Sequence, residues 1–104
     1  MNILHFKING QHLQKVGDFS GIIRGTKNYL KCHFSFEDNY WFGLRKISVF
    51  ENQGEQNAVM LERDNTCQVP NEVTDGTYFK VSIVGISGKD KKITTNKELI
   101  NQGG

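Results

Sequence analysis

The chain is short of the features that most often betray a function. No apolar run approaches the ~20 residues that a membrane span requires, and Met1-Asn2-Ile3-Leu4-His5-Phe6-Lys7 lacks the basic start, apolar stretch and small-residue cleavage site of a signal peptide. Folding in a cytoplasm is the resulting expectation. Charge of one sign is also missing. Thirteen basic residues against eleven acidic ones leave a formal net charge of +2, without the electrostatic footprint of a nucleic-acid binder. Proline occurs once, at Pro70, and cysteine twice, at Cys32 and Cys67. Both cysteines sit in apolar strand patterns, so reduced, buried thiols acting as small hydrophobes are the default. A disulfide needs the two strands to face one another.

Catalytic and metal-binding patterns are absent too. The three histidines are scattered: His5 and His33 on the polar sides of strands, His12 just past a turn. No HExxH, CxxC or paired-Asp loop accompanies them. Cys32 and His33 are sequence neighbours, and neighbours on a strand point to opposite faces, which removes them as a thiolate pair. No serine sits in a GxSxG context. Glu37-Asp38 is an adjacent pair at a corner, whereas glycoside hydrolysis needs two carboxylates across a cleft. Gly85-Ile86-Ser87-Gly88-Lys89 lacks the GxxxxGK[ST] spacing of a phosphate loop. The expectation is a protein that is not an enzyme, with no cofactor and no metal.

What is present is strand patterning, enough for a real core: 37% hydrophobic residues, with seven Phe, three Tyr and one Trp. From Tyr29 to Glu51 the chain first alternates, with Leu30, Cys32, Phe34 and Phe36 against Lys31, His33 and Ser35. The polar corner Glu37-Asp38-Asn39 then leads into Tyr40-Trp41-Phe42-Gly43. A second alternating run sets Ile47 and Val49 against Arg45, Lys46, Ser48 and Glu51. Trp41 and Phe42 read as core more readily than as exposed stacking surface.

Elsewhere, Leu4, Phe6 and Ile8 share one face of an N-terminal strand. Asn9-Gly10 turns it into a short strand carrying Leu13. Phe19 to Arg24 holds Ile22-Ile23. Asn52 to Gln56 reads as a plain polar connection, Asn57 to Glu62 as a strand, and Thr66 to Val69 as a short strand closed by Pro70. Asn71 to Thr74 fits one helical turn. Residues 77 to 87 form the longest strand, with Phe79, Val81 and Ile83 inward and Gly85 marking a bulge or the close approach of another backbone. Gly88 to Lys92 is a hairpin tip whose Lys89, Lys91 and Lys92 discourage edge pairing. Ile93 to Ile100 returns as the last strand, and residues 101–104 trail off. Short strands, frequent turns and no long helical period predict an all-β fold: one domain over residues 1–104, an antiparallel β-sandwich, Ig-like or jelly-roll-like, of about eight strands.

Together, Asn28-Tyr29-Leu30 through Phe34-Ser35-Phe36, Trp41 with Gly43-Leu44-Arg45-Lys46, and Val49-Phe50 resemble a known pattern. So do Leu61, Cys67 to Val73, Phe79 to Gly85, and Ile93 to Asn96. The pattern is that of the small β-sandwich domain of tail and baseplate proteins from phages and prophages of Gram-positive bacteria. In that family it often stands at the N-terminus of upper-baseplate or receptor-binding proteins. The resemblance covers roughly residues 26 to 100 and rests on scaffold positions. It implies Trp41 as the plug of the sandwich, Cys67-Gln68-Val69-Pro70 as the short strand closed by proline, and Thr94-Thr95-Asn96 as the start of the last strand.

It further implies a structural virion protein, made in the bacterial cytoplasm, that contacts other tail or baseplate proteins through sheet edges and loops and possesses the means to self-associate. No nucleic acid and no membrane is expected as a partner. Tyr40, Phe42, Lys89, Lys91 and Lys92 are the candidate contact residues, and Phe34, Phe36, Trp41, Phe50 and Pro70 the candidate structural core. The alternative is a carbohydrate-binding module for cell-wall glycans, with Tyr29, Tyr40, Trp41 and Tyr78 as candidate platforms. A third possibility is a prophage accessory protein that inhibits or recruits a bacterial factor.

Overall fold

The structure is a computed structural model that describes residues 2–103. Nine strands follow in order: β1 (Asn2–Asn9), β2 (His12–Val16), β3 (Leu30–Phe36), β4 (Arg45–Asn52), β5 (Glu55–Met60), β6 (Thr66–Gln68), β7 (Tyr78–Ser87), β8 (Lys91–Thr94) and β9 (Glu98–Asn101). A single 3-10 turn at Asn71–Val73 separates β6 from β7. The strands form two sheets, one in the order β2-β1-β3-β6 and the other β5-β4-β7-β8, with β9 also on β7. The all-β, two-sheet architecture read from the patterning is what the chain adopts.

One pair of strands departs from an antiparallel sandwich: β1 and β3 run parallel, Asn2 opposite Leu30 through to Ile8 opposite Phe36. A parallel pair needs a crossover, and residues 17–29 supply it. Gly25 N–H donates to Thr74 O, and Lys27 pairs with Asp75 at 2.8 Å. The parallel register sets Phe6 beside Phe34, stacked at 5.1 Å, while Phe19 packs edge-on against Phe6 at 5.3 Å.

The first sheet contributes Leu4, Phe6, Ile8, Leu13, Leu30, Cys32, Phe34 and Cys67 to the core. The second contributes Phe50, Phe79, Val81, Ile83 and Ile100. β4 is in the opposite phase from that expected. Ser48 and Phe50 are buried, while Ile47 and Val49 point outward and are half-buried. Register with β7 decides this, because Phe50 lies opposite inward Val81 and Ser48 opposite inward Ile83. Sequence hydrophobicity favoured Ile47 and Val49, but this register turns the face carrying Phe50 to the core. The Ser48 hydroxyl is buried with no nitrogen or oxygen partner and lies against the Cys67 sulfur. Cys32 and Cys67 sit directly opposite one another across β3 and β6, both buried free thiols. Burial pushes the Cys32 thiol well above its ordinary pKa.

Several local expectations change. The first hairpin turns on Gly10-Gln11, with Asn9 opposite His12 and φ +62° at Gly10. The 52–56 connection is a two-residue turn: Asn52 pairs with Glu55, and Gln53 and Gly54 both have positive φ. That is the type I′ signature, and it starts β5 two residues early. Gly85 makes no bulge, since β7 stays in register with β4 and β8 through it. A Cβ there would meet the Trp41 ring at 2.8 Å, so the close neighbour is an indole and not a backbone. The return from Ile93 to Ile100 is two strands, with Thr95-Asn96-Lys97 between them. Residues 101–103 do not trail off: Gln102 is buried and Gly103 pairs with Ile23. Gly104 lies outside the described residues.

Candidate functional site

The corner between β3 and β4 is fixed from below. Trp41 is 0% exposed and its Nε1–H donates to Gly10 O at 2.7 Å. Its ring lies on Gly85 and tilts against Phe36 at 5.4 Å. Asp38 accepts from the Gly10 N–H through one carboxylate oxygen and from the Tyr40 N–H, at 3.0 Å, through the other. Glu37 N–H reaches Ile8 O at 2.9 Å, Phe42 N–H reaches Asn39 O at 3.2 Å, and Gly43 with φ +77° brings the chain into β4. The corner is thereby tied to the first hairpin as well as to its own strands.

On either side of the buried Trp41 stand two exposed aromatics, Tyr40 at 66% and Phe42 at 88%. The expectation of a core Phe42 fails: within the corner Trp41 and Leu44 turn inward, and Phe42 between them stays at the surface. Tyr40 lines a groove of about 310 Å³ with Gly10, Gln11, Lys92 and Ile93. Phe42 lines a neighbouring one of about 270 Å³ with Phe36, Asp38, Asn39, Trp41, Lys46 and Asn65, where the Lys46 ammonium sits 5.3 Å above the Phe36 ring. Of the candidate contact residues, the fold therefore joins Tyr40 to Lys92 and sets Phe42 next door. Lys89 and Lys91 are exposed but line neither groove. Lys89 is in the β7–β8 tip, and Lys91 and Lys92 already belong to β8. Of the candidate core residues, Phe34, Trp41 and Phe50 are fully buried, whereas Phe36 and Pro70 are half-buried. Pro70 enters the 3-10 turn with φ −60°.

A groove of about 370 Å³ lies elsewhere, lined by Glu51, Asn52, Gln53, Gly54, Gln56, Tyr78 and Lys80. Only Tyr78 was legible there as a candidate. The amides join it because the β4–β5 turn and the start of β7 meet at one end of the second sheet. Glu51 accepts from Gln56 Nε2 at 2.6 Å and from Lys97 Nζ at 2.8 Å. The bond from Lys97, reinforced by that from Gln56, holds its carboxyl below the usual carboxylate range.

His5 and His33 meet edge to face at 5.7 Å on the outer face of the first sheet. Among the described residues, no three His, Cys, Asp or Glu side chains gather as metal ligands, and no helix is long and apolar enough to cross a membrane. In comparisons with known proteins, no family model, no curated protein and no solved structure matched the chain.

Proposed function

We propose that the chain is a non-enzymatic assembly module that works through protein–protein contacts at the Tyr40–Phe42 corner. The observation that carries this is Phe42, 88% exposed beside the fully buried Trp41. An apolar side chain exposed in water is common. Two aromatics on a corner immobilised by an indole and a bidentate carboxylate are ready-ordered anchors, and a partner that buries them loses little further entropy. The grooves beside them supply polar rims.

The resemblance of Trp41, the Cys67–Pro70 strand and Thr94-Thr95-Asn96 to tail and baseplate sandwiches supports a structural component of a phage or prophage virion as the setting. Within that reading the module is Ig-like or jelly-roll-like. Its two stacked sheets agree with that assignment, while the parallel β1–β3 pair departs from an all-antiparallel version. Partners would be other tail or baseplate proteins. The test is co-expression with the structural proteins encoded beside its gene, followed by affinity isolation. Recovery of a defined complex that Phe42→Asp abolishes supports the proposal, and recovery undiminished by Phe42→Asp with Tyr40→Ser overturns it.

A second reading, glycan binding, draws on the Tyr78 groove. An exposed aromatic ringed by Asn52, Gln53, Gln56 and Glu51 is the combination that stacks on a sugar face and bonds its hydroxyls. Buried Trp41 is excluded as the platform. Calorimetric titration with soluble cell-wall fragments would give binding lost in Tyr78→Ala; no heat with any fragment would remove this reading.

A further inference from the structure

We infer that β5 is a pairing edge for a second copy of this chain, joined antiparallel about a two-fold axis at Ala58. The starting point is which edge is left open. Leu61 N–H donates to Lys46 O, and the β4–β5 register makes Glu55, Asn57 and Val59 the residues that exchange backbone bonds with β4. Gln56, Ala58 and Met60 therefore direct their N–H and C=O groups away from the sheet. Among the described residues, none of those groups meets a partner. All three residues are exposed, Met60 at 57%.

The other edges are guarded. On β2, Gln11 O accepts from Asn96 N–H, and the Asn96 side-chain amide holds both Leu13 N–H and Leu13 O, at 2.6 and 3.1 Å. β6 is three residues long, gives Thr66 O to Glu62 N–H and runs into Pro70. The β8–β9 edge carries Lys91 and Lys92 and is broken at Thr95–Lys97. Strand β5, EQNAVM, has no lysine, no proline and no bulge, the usual devices that keep edges from pairing.

The choice of a second copy follows from self-complementarity. An antiparallel pair across a two-fold keeps side chains on their own faces only when the axis passes through a residue. Centring on Asn57 pairs only Gln56 with the partner's Ala58, and centring on Val59 pairs only Ala58 with the partner's Met60. Centring on Gln56 runs the partner into the Gln53-Gly54 turn, and centring on Met60 runs it past the strand end. Ala58 alone uses the whole edge: Gln56 with the partner's Met60, Ala58 with the partner's Ala58, and Met60 with the partner's Gln56, two backbone bonds in each pair. The small Ala58 side chain permits close approach at the axis. Glu55, the strand's only charge, falls at the two ends, away from its own copy and opposite the partner's Leu61. No β5 residue lines either groove beside the Tyr40–Phe42 corner, so this surface is independent of the one proposed above.

The experiment is multi-angle light scattering of the purified chain over a concentration series, with variants. The wild type should rise with concentration from 11.8 kDa towards twice that mass. Ala58→Lys, which places like charges at the axis, and Ala58→Pro, which removes only an edge-facing N–H, should stay monomeric, with Trp41 emission unchanged as the check on folding. Ala58→Cys should form a covalent dimer with glutathione disulfide. Gln56→Cys and Met60→Cys should cross-link when mixed but not alone, because directly opposed residues lie within disulfide reach. A monomer throughout, a dimer that survives Ala58→Lys, or self-cross-linking of Gln56→Cys without Ala58→Cys would each overturn the inference. Phe42→Asp should leave the dimer intact; loss of the dimer there and not in Ala58→Lys would move self-association to the corner and equally overturn it.

Discussion

Trp41 and Gly85 are a matched pair of residues. The indole occupies the space that any Cβ at position 85 would claim, 2.8 Å from its ring atoms. Gly85→Ala is therefore expected to destabilise by about 1–3 kcal/mol, the cost of overpacking a filled core, with a shifted Trp41 emission; unfolding by urea measures it. Ser48 points the other way. Its hydroxyl is buried without a nitrogen or oxygen partner, a desolvation cost with no hydrogen bond to offset it. Ser48→Ala should leave the midpoint unchanged or raise it, and a fall of more than about 1 kcal/mol would show a stronger bond to Cys67 than a thiol normally makes. The exposure of Tyr40 and Phe42 was legible only in part, since both were candidate contact residues while Phe42 also read as core beside Trp41. The inward position of Ser48 was not legible, since nothing in a serine announces which face it will occupy.

At the scale of elements, period-2 patterning located β1, β3 and β7 because each alternates large apolar with polar residues. It misplaced the phase of β4, where Ile47, Val49 and Phe50 compete and only cross-strand register with β7 decides. It also could not divide β8 from β9. The break is made by side chains that imitate backbone: Thr95 Oγ1 accepts the Ile83 N–H at 2.9 Å, and Asn96 serves β2 as though it were one more strand residue. Asn96→Ala should free both Leu13 groups, cost about 1–3 kcal/mol and speed hydrogen exchange at the Leu13 amide specifically. The Gln53-Gly54 turn escaped notice because glutamine seldom takes positive φ. Gln53→Asn, the residue type I′ turns prefer, should stabilise by about 0.5–1 kcal/mol, read as a higher denaturation midpoint without a change in slope.

For the whole molecule, Asn96 ties the two sheets at one margin, and the Glu51–Lys97 pair braces the second sheet from within. The carboxyl of Glu51 is held below its usual range in the folded state, so its ionised form favours folding above the ordinary carboxylate pKa. That contribution fades as pH falls through the lowered folded value. Thermal unfolding from neutral to acid pH should show a shallower loss of stability in Lys97→Met than in the wild type, and the difference should shrink in high salt because the pair is near the surface. The tertiary meeting of Gln53, Gln56 and Tyr78 in one groove, and of Tyr40 with Lys92 in another, comes from strand order. Local patterning leaves that order open, which is why the composition of the grooves was hidden while individual aromatics were not.

The most direct test of the proposed virion assembly role is mass spectrometry of phage particles purified from a strain encoding either the wild-type chain or Phe42→Asp. The chain is expected in wild-type particles at a fixed copy number, and reduced at least about tenfold by the variant, the effect of losing a central anchor worth some 1.4 kcal/mol or more. Particles that assemble fully without the chain, or that incorporate the variant at the wild-type level, would contradict it.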